Sequence, residues 1–202
     1  MNGVVLISGS GSNLQSIIDN SSEIDLNINC VISSNSEAYG LKRAEKAGIP
    51  IAIIDHKLFD SRLTADKEIM KVIDGSKAEV IILAGYMRIL SAGIIDNYLG
   101  KILNIHPSLL PKFKGLNTHQ RAIDAAEKIH GASVHFVTEE LDGGPVIAQS
   151  SVEIDSTDNA KSLASKVLNK EHILYPKIIH WYTQGRIKLI NNNSVQLDGQ
   201  II

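Results

Sequence analysis

Five short, almost unbroken apolar runs, at residues 4–7, 28–32, 51–54, 80–83 and 102–105, punctuate the first half of the chain. Each is only four or five residues long. With no polar position alternating through them, they predict strands of a parallel sheet covered on both faces. Residues 13–19, 38–47, 64–75 and 91–97 fill the intervals as helices, with Gly48 and Gly75 as stop signals. After Gly131 the pattern changes. Strand-like segments at 133–137 and 146–153 precede a long helix over about 159–183. A closing hairpin pairs 187–190 with 195–197 across an Asn-rich turn. The expectation is an α/β chain built on an open, mainly parallel twisted sheet. No Pro-, Gly- or Ser-rich linker divides it, so residues 1–202 read as a single domain with halves at about 1–100 and 101–202.

The formal charge of −2 and pI near 6.4 give no basic surplus for nucleic-acid binding, although a compact anion can still be held locally. No run approaches the roughly 18 apolar residues of a membrane span, and no basic segment precedes the first apolar run, so a cytoplasmic protein is expected. The single cysteine, Cys30, lies within a predicted strand and reads as core. The seven histidines lack a zinc-binding spacing, so no metal is expected.

Ligands of open α/β sheets sit outside the carboxyl ends of the strands, and three marked segments fall there. The first is Ser8-Gly9-Ser10-Gly11-Ser12-Asn13. Its small residues leave N–H groups free for a phosphate at a helix start; equally, it reads as a tight turn capped by Ser12 or Asn13. A dinucleotide fingerprint fails because Leu14 stands where the third glycine is needed and no acid follows the second strand. The second segment, Tyr86-Met87-Arg88-Ile89-Leu90, offers an apolar slot with exposed amides for a ring system, or else simply packs on the core.

The third segment is the end of the fifth strand. Asn104 and His106 are two residues apart, so a neutral donor and a titratable group share one face, and Pro107 ends the ladder. Farther on, Asp142 sits in the turn Leu141-Asp142-Gly143-Gly144-Pro145. An amide, an imidazole and a carboxylate together can stabilise an oxyanion and move a proton. His135 shares a face with Ser133 and can look into the same cavity. In the long helix, Glu171 falls within about 40° of Ala160, Ala164 and Val167, where a carboxylate needs a partner: a salt bridge or a ligand.

The segments Gly-Ser-Asn-Leu-Gln at 11–15, Tyr-Met-Arg-Ile-Leu at 86–90, Asn-Ile-His-Pro-Ser-Leu-Leu-Pro at 104–111 and Leu-Asp-Gly-Gly-Pro-Val-Ile at 141–147 closely resemble the phosphoribosylglycinamide formyltransferases. The resemblance runs in order over nearly the whole chain. It implies the formyltransferase fold, with a Rossmann-like, nucleotide-binding first half and a folate-binding, catalytic second half. It also implies 10-formyltetrahydrofolate as co-substrate and glycinamide ribonucleotide as acceptor, in purine synthesis.

Position by position, the resemblance implies that Gly11, Ser12 and Asn13 hold the nucleotide phosphate and Glu171 the ribose. Tyr86, Met87, Arg88, Ile89 and Leu90 hold the pterin, with Arg62 and Arg88 near the folate glutamate. Asn104, His106 and Asp142 match the catalytic trio, Asn104 also lying against the folate. Asn117 stands where the family usually carries a histidine, in a supporting position, as His135 also is. Small-molecule substrates and a monomer or weak homodimer are expected, with neither nucleic acid nor membrane as partner. Three other functions share features with this pattern. A formyltetrahydrofolate hydrolase would use the same trio, but its family carries an amino-terminal regulatory domain for which this chain has no room. Formyl-methionyl-tRNA synthesis calls for an added carboxyl-terminal domain and a basic surface. A non-catalytic nucleotide-binding module would have no use for the trio.

Overall fold

A computed structural model describes residues 1–202, which form two compact units, Met1–Asn104 and Ile105–Ile202. In the first, β1 (Asn2–Ile7), β2 (Asn27–Ser33), β3 (Ile51–Ile53), β4 (Val80–Leu83) and β5 (Ile102–His106) lie in the order β3-β2-β1-β4-β5. All of these pairings are parallel. β1 and β4 are buried from Val4 to Ile7 and from Val80 to Leu83, as unbroken apolar runs require of a sheet covered on both faces. Helices α1 (Ser12–Asn20), α2 (Tyr39–Lys46), α3 (Arg62–Gly75) and α4 (Ala92–Asn97) connect the strands and bury Leu14, Ile17, Leu41, Ala44, Ile69, Ile73 and Ile94. Cys30 is buried as expected. The chain winds outward from β1 to β3 and returns to the other side of β1 at β4. The direction therefore reverses between β1 and β4, the position at which open sheets leave a crevice.

The second unit opens with the end of β5, which crosses the boundary between Asn104 and His106. It continues through α5 (Thr118–Asp124), the antiparallel pair β6 (Ile129–Phe136) and β7 (Val146–Glu153), and α6 (Ala160–Thr183). A small antiparallel sheet of β8 (Ile187–Ile190), β9 (Ser194–Leu197) and β10 (Gln200–Ile201) closes it. β6 starts four residues earlier than the apolar pattern suggests. Its first residues, Ile-His-Gly-Ala, carry no alternation but still pair with Glu153 to Ser150. At Gly131 a side chain would meet the Ser150 carbonyl at 2.1 Å, so only glycine lets the two strands approach there. α5 has no apolar stripe longer than two residues and was not expected. On α6 the buried line runs through Leu163, Val167, Glu171, Leu174 and Ile178, so Glu171 is on the stripe, but Leu163 rather than Ala160 or Ala164 shares it.

Gly11 rather than Ser12 or Asn13 occupies the N-cap of α1, and no side chain caps that end. Its φ of 68° is left-handed, and a Cβ there would stand 2.5 Å from the Gly40 Cα of α2. The glycine is therefore required by backbone conformation and helix packing, whatever the loop binds. Gly11→Ala is expected to destabilise the protein by about 2–4 kcal/mol, combining the left-handed penalty with overpacking. Gly9→Ala, where a Cβ meets nothing within 4 Å, should stay within about 0.5 kcal/mol. Urea unfolding of the two variants measures the difference; equal stabilities would mean that α2 yields at no cost.

Candidate active site

In the first unit, the loops after β1, β2 and β4 are joined through one hydroxyl. Ser8 Oγ accepts a hydrogen bond from the Met87 backbone N–H at 2.8 Å and bonds the Ser34 hydroxyl at 2.7 Å. The carbonyl of Gly9 accepts from Gly40 N–H at 3.0 Å and that of Ser10 from Arg43 Nε at 2.9 Å. Arg43 also reaches Gln15 Oε1 at 3.1 Å. With those carbonyls turned towards α2 and Gly11 unable to supply a side-chain cap, the first N–H groups of α1 form an uncapped, positively polarised end. The sequence marked the loop that begins at Ser8 but gave Ser8 itself no role, and Arg43 did not stand out because it lies on the polar face of a helix.

The segment 86–90 is pinned at both ends, by half-buried Tyr86 and buried Leu90, while Met87, Arg88 and Ile89 are exposed. Met87 is 68% and Ile89 56% exposed, so this loop presents apolar side chains outward instead of packing them on the core. Arg62, the first residue of α3, donates to the Ile89 carbonyl and ties the two segments together. Burial, followed by the charge of Asp66, pushes the Tyr86 phenol up to about 12 despite Arg88 and Arg62, so it remains a neutral donor. Asp66 is itself buried in α3 with Oδ2 lacking a hydrogen-bond partner, a feature that no periodicity revealed.

In the second unit, buried His106 is held from both sides. Its Nε2 donates to the Phe113 carbonyl at 3.0 Å, and its Nδ1 lies 3.4 Å from Asp142 Oδ2. A carbonyl only accepts, so Nε2 carries hydrogen in either charge state of the ring. Asp142 Oδ2 also accepts the Gly115 N–H at 2.8 Å, while Oδ1 stands 3.9 Å from His135 Nε2. His135 is buried, with Nδ1 donating to the Phe136 carbonyl at 2.8 Å. Burial depresses its pKa more than that carbonyl and Asp142 raise it, so the ring is neutral. Asp142 adopts φ 48°, and a Cβ at Gly144 would collide with the Phe136 carbonyl at 1.9 Å. The Asp-Gly-Gly turn is thus dictated by close packing on the end of β6. The loop after His106 is anchored from below: Ser133 Oγ donates to the Ser108 carbonyl at 2.6 Å and accepts from Leu110 N–H at 3.0 Å. Gln149 reaches the Leu110 carbonyl at 2.9 Å and Ser133 Oγ at 2.8 Å.

Two further histidines flank His106. His130, 1% exposed on β6, packs edge-on to His119 of α5 at 5.2 Å between ring centroids. Neither was singled out in the sequence, where both looked like isolated polar residues. Asn117 is exposed in the left-handed conformation, φ 57°, at the start of α5, and its side chain caps nothing. Glu171 is buried at 6% exposure on α6.

A family model described as formyl transferase matches residues 1–179. The phosphoribosylglycinamide formyltransferase of Escherichia coli is 47% identical over 202 residues, covering 99% of this chain and 95% of the relative. The chain belongs to the phosphoribosylglycinamide formyltransferase family. The Haemophilus influenzae member is 46% identical, covering 98% of this chain and 94% of its own length. A solved phosphoribosylglycinamide formyltransferase from Coxiella burnetii superposes with a TM-score of 0.96 at 46% identity, covering 100% of this chain and 95% of that one. The formyltransferase fold expected from the motifs is therefore the fold observed. In this formyltransferase no group of three or more His, Cys, Asp or Glu is placed to hold a metal ion, and no helix is long and apolar enough to cross a membrane.

The histidines beside His106 make stability depend on pH. Burial, and then the His119 imidazole, hold His130 down to about 4, with the Pro107 carbonyl pulling the other way. An unfolded histidine takes up its proton near 6.5, so this contribution is complete above about pH 6.5 and is lost as pH falls towards 4. The loss amounts to about 3 kcal/mol. His119 and His135, also lowered, add slope in the same direction. Urea unfolding from pH 7.5 to 4.5 should show stability falling with acid, and His130→Gln should flatten that slope; an unaltered slope would place the proton uptake elsewhere.

Proposed function

We propose that the protein transfers the formyl group of 10-formyltetrahydrofolate to the amine of glycinamide ribonucleotide. The observation that carries this reading is the pairing of His106 with Asp142 at 3.4 Å, both shielded from solvent, on the strand that also bears Asn104. Attack by the substrate amine on the formyl carbon sends the carbonyl electron pair to oxygen. The tetrahedral centre then carries an oxyanion and an ammonium, and folate N10 must leave as an amine. Asn104 donates to the oxyanion without titrating, a contribution of about 3 kcal/mol. His106, when protonated, pairs with Asp142 and adds positive charge where the oxyanion forms. Asp142, through a water, takes the ammonium proton and passes it towards N10. As the C–N10 bond breaks, the oxyanion pair reforms the carbonyl on the new amide. None of these groups bonds to substrate carbon, so no covalent enzyme intermediate is required.

The start of α1 at Gly11, Ser12 and Asn13, which no side chain caps, supports phosphate binding, because the positive end of a helix favours an anion. Glu171 receives the ribose hydroxyls. The exposed Met87, Arg88 and Ile89, with Tyr86 and Leu90 as anchors and Arg62 tied to the loop, receive the folate: apolar side chains against its rings and guanidinium groups towards its glutamate. Asn117 and His135 support Asp142 indirectly, the first through backbone conformation and the second as a neutral neighbour. The protein works on these small molecules in the cytoplasm, as a monomer or weak homodimer, within purine synthesis.

Release of free folate from the formyl donor, with and without glycinamide ribonucleotide, tests the reaction. Transfer requires the nucleotide, whereas release at the same rate without it would identify a hydrolase instead. Asp142→Asn keeps the shape and removes both charge and base, so kcat should fall by roughly 10² to 10⁴ with both KM values within a few-fold. Near-full kcat from pH 6 to 9 would remove Asp142 from the proton route. Glu171→Gln should weaken nucleotide binding by about 1–3 kcal/mol and leave folate affinity unchanged, as loss of a charged hydrogen bond predicts. A lower Tm with normal nucleotide affinity would assign Glu171 to structure alone.

A further inference from the structure

One short turn holds both members of the buried pair through its backbone. The Phe113 carbonyl accepts from His106 Nε2 at 3.0 Å, and two residues later the Gly115 N–H donates to Asp142 Oδ2 at 2.8 Å. This turn is not relaxed. Phe113, Gly115 and Asn117 all lie in the left-handed region, at φ 56°, 78° and 57°, and phenylalanine has no local hydrogen bond to offset that cost. Something outside the turn must hold it. Between the groups that face the pair, the carbonyls of Lys114 and Leu116 point the other way, and both accept from Nη1 of Arg121, at 2.6 and 3.3 Å. The same guanidinium lies over the Phe113 ring, 5.5 Å from its centroid. Arg121 belongs to α5, whose first turn follows directly at Thr118, so one side chain folds back over the segment that leads into its own helix. The Lys114 to Glu140 ion pair at 2.7 Å, mostly solvent-facing on the Glu140 side, and the edge-on contact of the Phe113 ring with His130 at 6.0 Å are further side-chain ties of the turn.

We propose that Arg121 is a positioning residue for His106 and Asp142, acting through the backbone of residues 113–116; this rests on the catalytic reading of that pair. Arg121 touches neither group and is exposed, so its contribution lies in alignment and not in the charge of the site. A planar guanidinium bonds two carbonyls while its face lies over a ring in one preorganised geometry, which a flexible ammonium holds less well. Losing it lets the turn relax from its left-handed conformation and moves an acceptor from His106 and a donor from Asp142 together.

The test is steady-state transfer by Arg121→Met, which keeps the stem but removes every donor, alongside Arg121→Lys, which keeps a cation over the ring and one donor. His106→Asn and the wild type serve as references. Misalignment by a fraction of an ångström should lower kcat of Arg121→Met about 5- to 50-fold, with both KM values within about two-fold. Arg121→Lys should recover part of that loss, and the urea midpoints of both variants should stay close to wild type. Unchanged kcat in Arg121→Met overturns the proposal. So does a fall in kcat matched by lost stability and not relieved by lysine, which would make Arg121 a merely structural residue. If the wild type transfers no formyl group, or His106→Asn retains full kcat, the functional reading fails and this inference with it. If the wild type is active and His106→Asn is not, the Arg121 variants report on Arg121 alone.

Discussion

The arrangement at the end of β5 follows from a requirement on one ring: a buried imidazole needs partners for both nitrogens. Left without them, His106 would carry the full desolvation cost of its polar atoms. The chain supplies a carbonyl to one nitrogen and a carboxylate to the other, and each arrives from a segment that needs an unusual backbone to reach it. Phe113 presents its carbonyl from a left-handed conformation, and Asp142 does the same with its side chain. The strain sits in the two loops that satisfy the histidine, while the strand carrying it stays regular. Beneath them, Ser133 and Gln149 fix the intervening loop from β6 and β7, so the precision of the site derives from the antiparallel pair.

In the first unit the same logic acts with weaker chemistry. The reversal of strand order between β1 and β4 leaves a crevice at their carboxyl ends, and Ser8 joins the loops on either side of it with a single hydroxyl. The glycine loop and the apolar loop at 86–90 are therefore one hydrogen-bonded assembly, although Ser8 and Met87 are 79 positions apart. Gly40 and Arg43 engage the carbonyls of Gly9 and Ser10 in this loop.

Strands of the first unit were legible because burial on both faces removes polar positions altogether, and β1 and β4 match that rule residue for residue. His106 and Asp142 drew attention because each stands beside a Pro or Gly that ends an element, and Asn104 because it shares a face of the strand with His106. α5 escaped because its seven residues bury only Thr118 and Ala122, too few for any period to register. Gly11 was marked as a small residue with room for a phosphate, and its left-handed backbone and the approach of Gly40 require glycine there independently of any ligand. Sequence reports that a position must be small. It does not report what approaches it.

Asn117 shows how a departure from a family's usual residue can be read once backbone geometry is known. The histidine that the resemblance places here and this chain's asparagine are chemically unlike, but both are among the non-glycine residues most tolerant of the left-handed region, which position 117 occupies. The asparagine side chain is exposed and caps no N–H group, whereas its carbonyl accepts from Arg121 N–H at 3.0 Å and so begins the ladder of α5. What the position demands of asparagine is thus a conformation that turns the chain into α5 and brings Arg121 back over residues 113–116. The hydrogen bond that steadies Asp142 comes instead from the Gly115 backbone, which no substitution at 117 removes directly. In this chain the hydrogen bond to Asp142 thus comes from the main chain, in a segment whose flanking carbonyls Arg121 bonds.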